Sequence, residues 1–303
     1  MISTIFSIVF LVILFVIIIL YIFTYNKRPK LYENIDNDTY ILPKIIYGYW
    51  DNLDNNPLIK THIDTWKRNI PKDWKIVILN KENVRSYVDD NFMKKYGNLD
   101  PIRFSDFLRI YLLFKNGGTW MDASTIIING NFLDQYYKEM INNKFDICLY
   151  ELKTKTVDYR TPYLENWFIM APKNSKLLKD LYAEFDKSFT LGFEEYKKNV
   201  LLPSGVVLTN TLGYDKYNTY LMQHAIINYL MYIGNKYSIN TKDASKSMFK
   251  IHIDKKWDRK SIIDFILTNN DWSNYYAIKL TKGERKHIHD GIKDIYIKKL
   301  NNL

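Results

Sequence analysis

Cysteine is nearly absent from this 303-residue sequence, which contains only Cys148. A single cysteine cannot form an intramolecular disulfide, and it excludes a zinc site built from a cluster of Cys and His residues. Cys148 lies in the apolar run 145–150, which predicts a buried thiol rather than a nucleophile. The sequence also lacks internal repeats and any recognised nucleic-acid-binding motif, so we expect no nucleic-acid partner.

Acidic residues are the minority charge: 33 Asp and Glu stand against 43 Lys and Arg, a formal net charge of +10. Such an excess can indicate a nucleic-acid, anionic-lipid or phosphorylated partner. The lysines are scattered, however, and Lys, Asn, Ile and Tyr are abundant together, as AT-rich coding sequences produce. With 47% hydrophobic and 25% charged residues, the composition is typical of a globular protein.

Charge is missing altogether from residues 5–23, where Ser7 and Tyr21 are the only polar side chains. As a helix this run would extend about 28 Å, close to the thickness of a bilayer core. A cleaved signal peptide would have a basic stretch before the run and a small-residue cleavage site, and the sequence has neither. We therefore predict a transmembrane anchor over residues 1–25, a linker over residues 26–40, and one domain over residues 41–303.

Basic residues follow the predicted anchor directly, at Lys27, Arg28 and Lys30. The positive-inside rule then predicts a single-pass membrane protein with a cytosolic domain, and the scarcity of cysteine agrees with a reducing compartment. The possible glycosylation site at residues 37–39 favours a luminal domain instead, so that orientation stays open.

The first part of the domain alternates between two kinds of apolar pattern. Residues 44–50 and 74–79 are patterned as buried strands, whereas residues 57–69 and 81–95 are patterned as helices. This alternation predicts an α/β domain with a mostly parallel sheet flanked by helices.

A third helix is predicted between two strong end signals. Asp100 is a good N-cap and Pro101 suits the first helical position, while the glycine pair at residues 117–118 is typical of a C-cap. Apolar residues occur all round this helix, which predicts burial on both sides.

Charged residues nevertheless recur on one face of this helix, at Arg103, Asp106 and Arg109. Buried charges are costly unless they are paired or used. One interpretation is an internal ion pair at i,i+3 spacing. The other is a polar wall of a ligand pocket, with Asp106 accepting sugar hydroxyls and Arg109 facing phosphate or carboxylate.

An apolar strand is predicted after the glycine pair, with Asp122 at its end. An acidic residue at the carboxyl end of a parallel strand lies where open α/β sheets bind ligands. A role in a turn or helix cap is the alternative for Asp122.

Residues 105–109 and 117–122 together resemble the core motif of the DXD glycosyltransferases. The closest groups are the capsular-polysaccharide-synthesis type and the related mannosyltransferase and clostridial glucosylating-toxin branch, glycosyltransferase family 32. Further segments resemble other motifs of that family in the same order: Pro43–Trp50, Glu165–Ala171, Pro203–Thr209 and Ala277–Thr281.

The resemblance implies a GT-A fold and a retaining glycosyltransferase, with a nucleotide-diphosphate sugar as donor and a glycan, protein or lipid as acceptor. It also implies Mn²⁺ or Mg²⁺, since a divalent cation stabilises the charge that builds on the departing nucleoside diphosphate. The roles carried over from the family are donor-sugar contact for Asp106 and Arg109, ribose or metal binding for Asp122, base contact for Tyr49 and Trp50, and contact with the transferred sugar for Asn166.

The sequence departs from the family motif at Ser124, which stands where the second acidic residue of DXD is expected. A hydroxyl is a poorer ligand for a hard cation than a carboxylate. A catalytically inactive sugar- or nucleotide-binding descendant is therefore the alternative function. Additional ligands could come from His287, His289 or Asp290, because distal ligands in this superfamily lie near the C-terminus.

Overall fold

A computed structural model of the protein describes residues 39–206, 220–234 and 237–303. The predicted anchor over residues 1–25 lies outside the described residues, as does the predicted linker up to residue 38. Within the described ranges, no helix is both long enough and apolar enough to cross a membrane. The described residues from Tyr40 onward belong to one compact unit.

The strands and helices alternate along the chain as the sequence predicts. The strands are β1 Ile45–Tyr49, β2 Lys75–Leu79, β3 Gly118–Met121, β4 Thr125–Ile127, β5 Ile147–Glu151, β6 Leu164–Ala171, β7 Ile239–Asp243 and β8 Ala277–Lys279. The helices are α1 Pro57–Asn69, α2 Asp90–Tyr96, α3 Pro101–Asn116, α4 Phe132–Asn143, α5 Lys176–Leu191, α6 Phe193–Tyr196, a π-helical turn Lys197–Leu201, α7 Leu202–Ser204, α8 Met222–Tyr232, α9 Lys250–Asp254, α10 Arg259–Thr268, α11 Lys282–Arg285 and α12 Asp290–Asn301.

The main sheet has the strand order β2-β1-β3-β6-β5-β7. Strand β1 is parallel to β2 and β3, and β5 is parallel to β7. Strand β6 is antiparallel to both of its neighbours, β3 and β5. Neighbouring residues of β3 face opposite sides, since Met121 joins the core cluster that includes Trp66 of α1 whereas Trp120 lies under Arg109 of α3. The predicted α/β class with a mostly parallel, helix-flanked sheet is confirmed.

The predicted helix over residues 81–95 is wrong in its first half. The structure has a short 3-10 turn at Val84–Ser86, and α2 begins only after Asp89. The Asp89 carboxylate accepts a hydrogen bond from the Phe92 amide at 2.8 Å, so this residue starts a new helix instead of continuing an old one. Helix α1 and helix α3 are confirmed, and Asp100 caps α3 as predicted.

The turn from α3 into β3 depends on Gly118. Its φ is 112°, and a Cβ there would lie 2.9 Å from the Ile45 carbonyl oxygen. Glycine therefore allows the chain to pass from the helix into the strand without a connecting loop. Asp122 follows β3 directly, and its place at the edge of the sheet is fixed by this turn.

A smaller antiparallel sheet joins β4 to β8, so that the C-terminal part of the domain pairs with the segment that follows β3. Ile126 of β4 and Ile278 of β8 share a buried cluster with Tyr296 of α12. The Leu280 amide donates to the Ser124 carbonyl at 3.1 Å. Residues about 150 positions apart in sequence are thereby held in contact.

Cys148 is fully buried, as predicted. Burial raises the pKa of its thiol to about 12, so the thiolate is not populated at neutral pH.

Candidate active site

The edge of the sheet where β3 ends collects several predicted site residues. Because β6 runs antiparallel to β3, its first residues meet the end of β3, and the Asp122 amide donates to the Trp167 carbonyl at 2.8 Å. Asn166 precedes Trp167 and is half-buried, and Trp50 follows β1 at the same edge. The carboxyl ends of the parallel strands and the start of β6 therefore form one polar edge.

Asp106 lies at the centre of a buried charge group on α3. Its two carboxylate oxygens lie 2.9 Å from Nη1 of Arg109 and 2.9 Å from Nη1 of Arg103. Asp106 and Arg109 are each only 4% exposed. Burial raises the pKa of Asp106, and the two guanidinium groups partly offset that rise. The ion pair that one interpretation predicted on this face of α3 is therefore present in the structure.

Arg109 also extends beyond its own helix. Its Nη2 lies 3.4 Å from Oδ1 of Asp122, and its guanidinium is 5.3 Å from the centre of the Trp120 ring. The two interpretations of the sequence are thus compatible, because one arginine links the α3 ion pair to the carboxylate at the end of β3.

Gln223 of α8 joins the same group, although no sequence motif singles it out. Its Oε1 accepts hydrogen bonds from Nδ2 of Asn166 at 2.6 Å and from Nη1 of Arg109 at 3.2 Å. Its Nε2 donates to the Asp106 carbonyl at 3.0 Å. A fully buried amide therefore fixes the orientation of Asn166 relative to α3.

Asp122 has a second cationic neighbour in Lys279, the last residue of β8. The Lys279 Nζ lies 3.2 Å from Oδ2 of Asp122 and donates to Oγ of Ser124 at 2.7 Å. The Trp120 indole donates to Oδ1 of Asp122 at 3.0 Å. Burial by itself would raise the pKa of Asp122, but the charges of Lys279 and Arg109 outweigh it and lower that pKa.

The donor set around Asp122 does not fit a resident divalent cation. Lys279 lies against both Asp122 and Ser124, the side chains that match the two outer positions of DXD. At an effective dielectric constant of about 20, the ammonium would repel a divalent ion about 4 Å away by about 8 kcal/mol, which opposes the attraction of the ion to the one carboxylate. Among the described residues, no group of three or more His, Cys, Asp or Glu side chains could hold a metal ion.

The predicted distal ligands do not change this result. His287, His289 and Asp290 are exposed, at and just before the start of α12. They form no metal-binding group within the described residues.

The two predicted base-contacting residues lie in different environments. The Tyr49 hydroxyl donates to Asp51 at 2.7 Å, and its ring packs on Phe104 at 5.3 Å, so Tyr49 belongs to the core beside the site. Trp50 is half-buried, with the Arg285 guanidinium 5.4 Å from the centre of its ring.

The sequence predicts no role for Lys279 or Arg285, although Lys279 lies in Ala277–Thr281, a segment that resembles a family motif. A signal for Lys279 was available: it is a charged residue in a short apolar strand, and buried charges are costly unless used. Arg285 belongs to an ordinary polar helix, α11, and its sequence context carries no such signal.

A separate cleft of about 470 Å³ lies away from this polar edge. It is lined by residues that include Asn129, Phe132 and Tyr276, at the opposite end of the β4–β8 pair from Ser124 and Lys279. It therefore does not include the residues of the sequence motif.

Known structures similar to the chain include two glycosyltransferases. The glycosyltransferase GlyE of Streptococcus pneumoniae TIGR4 matches with a TM-score of 0.46 and 9% identity, over 86% of this chain and 60% of that one. The galactosyltransferase LgtC, in complex with donor and acceptor sugar analogs, matches with a TM-score of 0.41 and 8% identity, over 86% of this chain and 96% of that one.

Sequence comparisons identify a curated relative and a family. The O-glycosyltransferase braB of Annulohypoxylon truncatum is 27% identical over 163 residues, which is 48% of this chain and 37% of the relative. The matched segment thus spans well under half the length of that relative. The sequence model of the family described as "Capsular polysaccharide synthesis protein" matches residues 21–262. Because this match covers most of the sequence, the predicted resemblance is confirmed, and the chain belongs to the capsular polysaccharide synthesis protein family.

Proposed function

We propose that this chain is a glycosyltransferase that moves a sugar from a nucleotide-diphosphate sugar to a glycan, protein or lipid acceptor. One observation carries the proposal: Asp106, Arg109, Asp122 and Asn166, the residues assigned by the family motifs, meet in one linked group. That group lies at the carboxyl-end edge of a mostly parallel sheet, where such sheets bind ligands. The family match and the O-glycosyltransferase relative support the same class of reaction.

In the proposed reaction, the bond between the anomeric carbon and the diphosphate oxygen breaks, and the electron pair stays on that oxygen. The acceptor hydroxyl oxygen forms the new bond to the anomeric carbon, and its proton passes to the departing diphosphate. The resemblance supports retention of configuration at this carbon. Asp122 and Asn166 are half-buried at the edge, so each can offer oxygen acceptors to hydroxyls of the donor.

Arg109 would contact the donor and would also position the carboxylates of the site. Its planar fork already holds Asp106 and Asp122 at fixed positions. Preorganised polar groups of this kind lower the barrier because they need no rearrangement when charge develops.

The direct test is donor turnover by the full chain in detergent. A panel of UDP-sugars and GDP-sugars would be incubated with chelator, with Mg²⁺ and with Mn²⁺, and release of the nucleoside diphosphate would be followed. We expect saturable release with at least one donor. Saturable binding of a donor without any turnover would instead support the inactive descendant.

We also propose that residues 1–25 anchor the protein in a membrane with the domain in the cytosol, on the basis of the uncharged run 5–23 and the basic residues after it. The full chain should stay in the membrane fraction after alkaline carbonate washing. Recovery of a mature chain that starts after residue 25 would contradict this proposal.

A further inference from the structure

The Lys279 ammonium occupies the place between the two side chains that the family motif would use for a cation. It contacts Asp122 at 3.2 Å and Ser124 at 2.7 Å, and it also donates to the Leu280 carbonyl at 3.1 Å. Three oxygens from two separate chain segments therefore surround one ammonium group. A lysine ammonium has three donors, and these contacts fix its position at the end of β8.

A second cation, Arg285, lies close to this ammonium. Its Nη1 donates to the Leu280 carbonyl at 2.9 Å, the same oxygen that Lys279 contacts. Its guanidinium also lies against the Trp50 ring. Among the described residues, no carboxylate lies within 4.0 Å of the Arg285 guanidinium, so its charge is not consumed by a direct ion pair.

Within the part of the chain that the structure describes, the carboxylates near these cations are already engaged. Glu284, the acidic neighbour of Arg285, accepts from the Thr281 amide at 2.6 Å within a capping box. Glu165 lies 3.5 Å from Nε2 of His224. Asp122 is shared between Lys279 and Arg109. Two closely spaced cations on a shared carbonyl, with their described acidic neighbours already paired, favour an anionic ligand.

We propose that the diphosphate of the donor is bound and neutralised by Lys279 and Arg285, and that this chain needs no divalent cation to bind it. The proposal rests on the proposed function, because it concerns the donor of that reaction. The Trp50 ring lies beside Arg285, so a diphosphate on the two cations would place the attached nucleoside next to an aromatic surface.

The two cations would also act on the departing group. When the bond from the anomeric carbon to the diphosphate oxygen breaks, that oxygen keeps the electron pair and its negative charge increases. Arg285 can donate hydrogen bonds to the diphosphate oxygens while this charge develops. The Lys279 ammonium, whose three donors already contact Asp122, Ser124 and the Leu280 carbonyl, stabilises the same charge through its positive charge. The acceptor proton then neutralises one of these oxygens, so atoms and charge balance without a metal.

The test is binding of inorganic pyrophosphate, UDP and GDP to the full chain in detergent, measured by calorimetry in EDTA and again in Mg²⁺ or Mn²⁺. We expect at least one probe to bind in EDTA, with an affinity that the metals change by less than about threefold. Lys279→Met should weaken binding in EDTA by about tenfold or more, because it removes a buried positive charge beside the diphosphate. Arg285→Gln should have a smaller effect in the same direction.

Lys44→Met is the matched control, because Lys44 also lies against carboxylates, Asp73 and Asp134, on another part of the domain. It should leave diphosphate binding unchanged. If Lys279→Met fails to fold, Ser124→Asp replaces it: a second carboxylate beside Lys279 should weaken binding in EDTA while keeping the lysine.

The outcomes separate the two proposals. Binding that EDTA abolishes and a metal restores would overturn the role of the cations but leave the proposed function standing. Binding by Lys279→Met or Ser124→Asp that equals the wild type would also overturn it. Failure of every probe to bind, with and without metal, would overturn the proposed function as well.

Discussion

Asp122 and Asp134 lie in two regions of the domain with nearly the same local chemistry. Each accepts a hydrogen bond from a tryptophan indole, at 3.0 Å and 2.9 Å respectively. Each lies against a lysine ammonium, at 3.2 Å and 2.7 Å. Their side chains are 27% and 31% exposed. Judged by immediate contacts alone, neither carboxylate stands out as functional.

The two regions differ in what surrounds the lysine. The side chain of Lys44 is 26% exposed and lies against a second carboxylate, Asp73. The side chain of Lys279 is 8% exposed, and its second side-chain partner is the neutral hydroxyl of Ser124. Lys44 is thus shared between two carboxylates, whereas Asp122 is shared between two cations, Lys279 and Arg109. The surroundings of an Asp–Lys pair, and not the pair itself, therefore indicate an anion-binding site.

The largest expected effect is a loss of stability on removal of the buried Asp106 ion pairs, which lie in the Asp122 region. Asp106→Ala removes the carboxylate shared by Arg103 and Arg109, whose side chains are both almost fully buried. Breaking a buried ion pair in this way should reduce the free energy of unfolding by about 3–5 kcal/mol. Chemical denaturation of the variant and wild type measures this. A change below about 1 kcal/mol would show that the pair does not stabilise the fold.

A comparable effect on stability is expected at neutral pH from Glu284, which lies beside Arg285, and it should disappear in acid. Burial by itself raises its pKa, but His252 and the donors of Thr281 outweigh burial and lower the pKa to about 2. Its stabilisation is therefore present above about pH 4.5 and is lost as the pH falls toward 2. Glu284→Gln should cost about 3 kcal/mol at neutral pH, and the difference from wild type should shrink between about pH 5 and pH 2. Urea unfolding across this range measures it; a gap independent of pH would contradict it.

The direct comparison of the two regions exchanges one carboxylate at a time. Asp122→Asn should reduce donor turnover by about a hundredfold, as loss of a preorganised charged group in an active site predicts. Asp134→Asn should leave turnover close to wild type, although it also loses an ion pair. Turnover and unfolding are measured for both variants. Equal loss of turnover in both variants would show that Asp122 and Asp134 do not differ in function.

The smallest effect is expected at Ser124. Ser124→Ala removes one hydrogen bond to Lys279 and should cost about 1 kcal/mol of unfolding free energy. Because the variant keeps both cations, diphosphate binding in EDTA should persist. Loss of that binding would show that the hydroxyl itself contacts the ligand.

The sequence was sufficient to predict the framework of the site. Asp100, Pro101 and the glycine pair 117–118 are local signals, since capping and positive φ depend on neighbouring residues. They placed α3 and β3 correctly. The position of Asp122 at the end of β3 followed from these elements.

The partners of the site residues could not be predicted in the same way. Gln223 and Lys279 reach the site from α8 and β8, more than a hundred residues from α3. Periodicity and caps carry no information about contacts at that separation. The antiparallel direction of β6 was missed for the same reason, because strand direction depends on pairing between distant segments.

The pairing of β4 with β8 also has a consequence for folding during synthesis. Ser124 and Lys279 are 155 positions apart. At about 5–20 residues per second of synthesis, Lys279 leaves the ribosome roughly 8–30 s after Ser124. The residues that match the family model end at 262, before both cations. In a nascent chain, Asp106, Arg109 and Asp122 are therefore synthesised before Lys279 and Arg285. The cationic site is complete only after β8 has paired with β4.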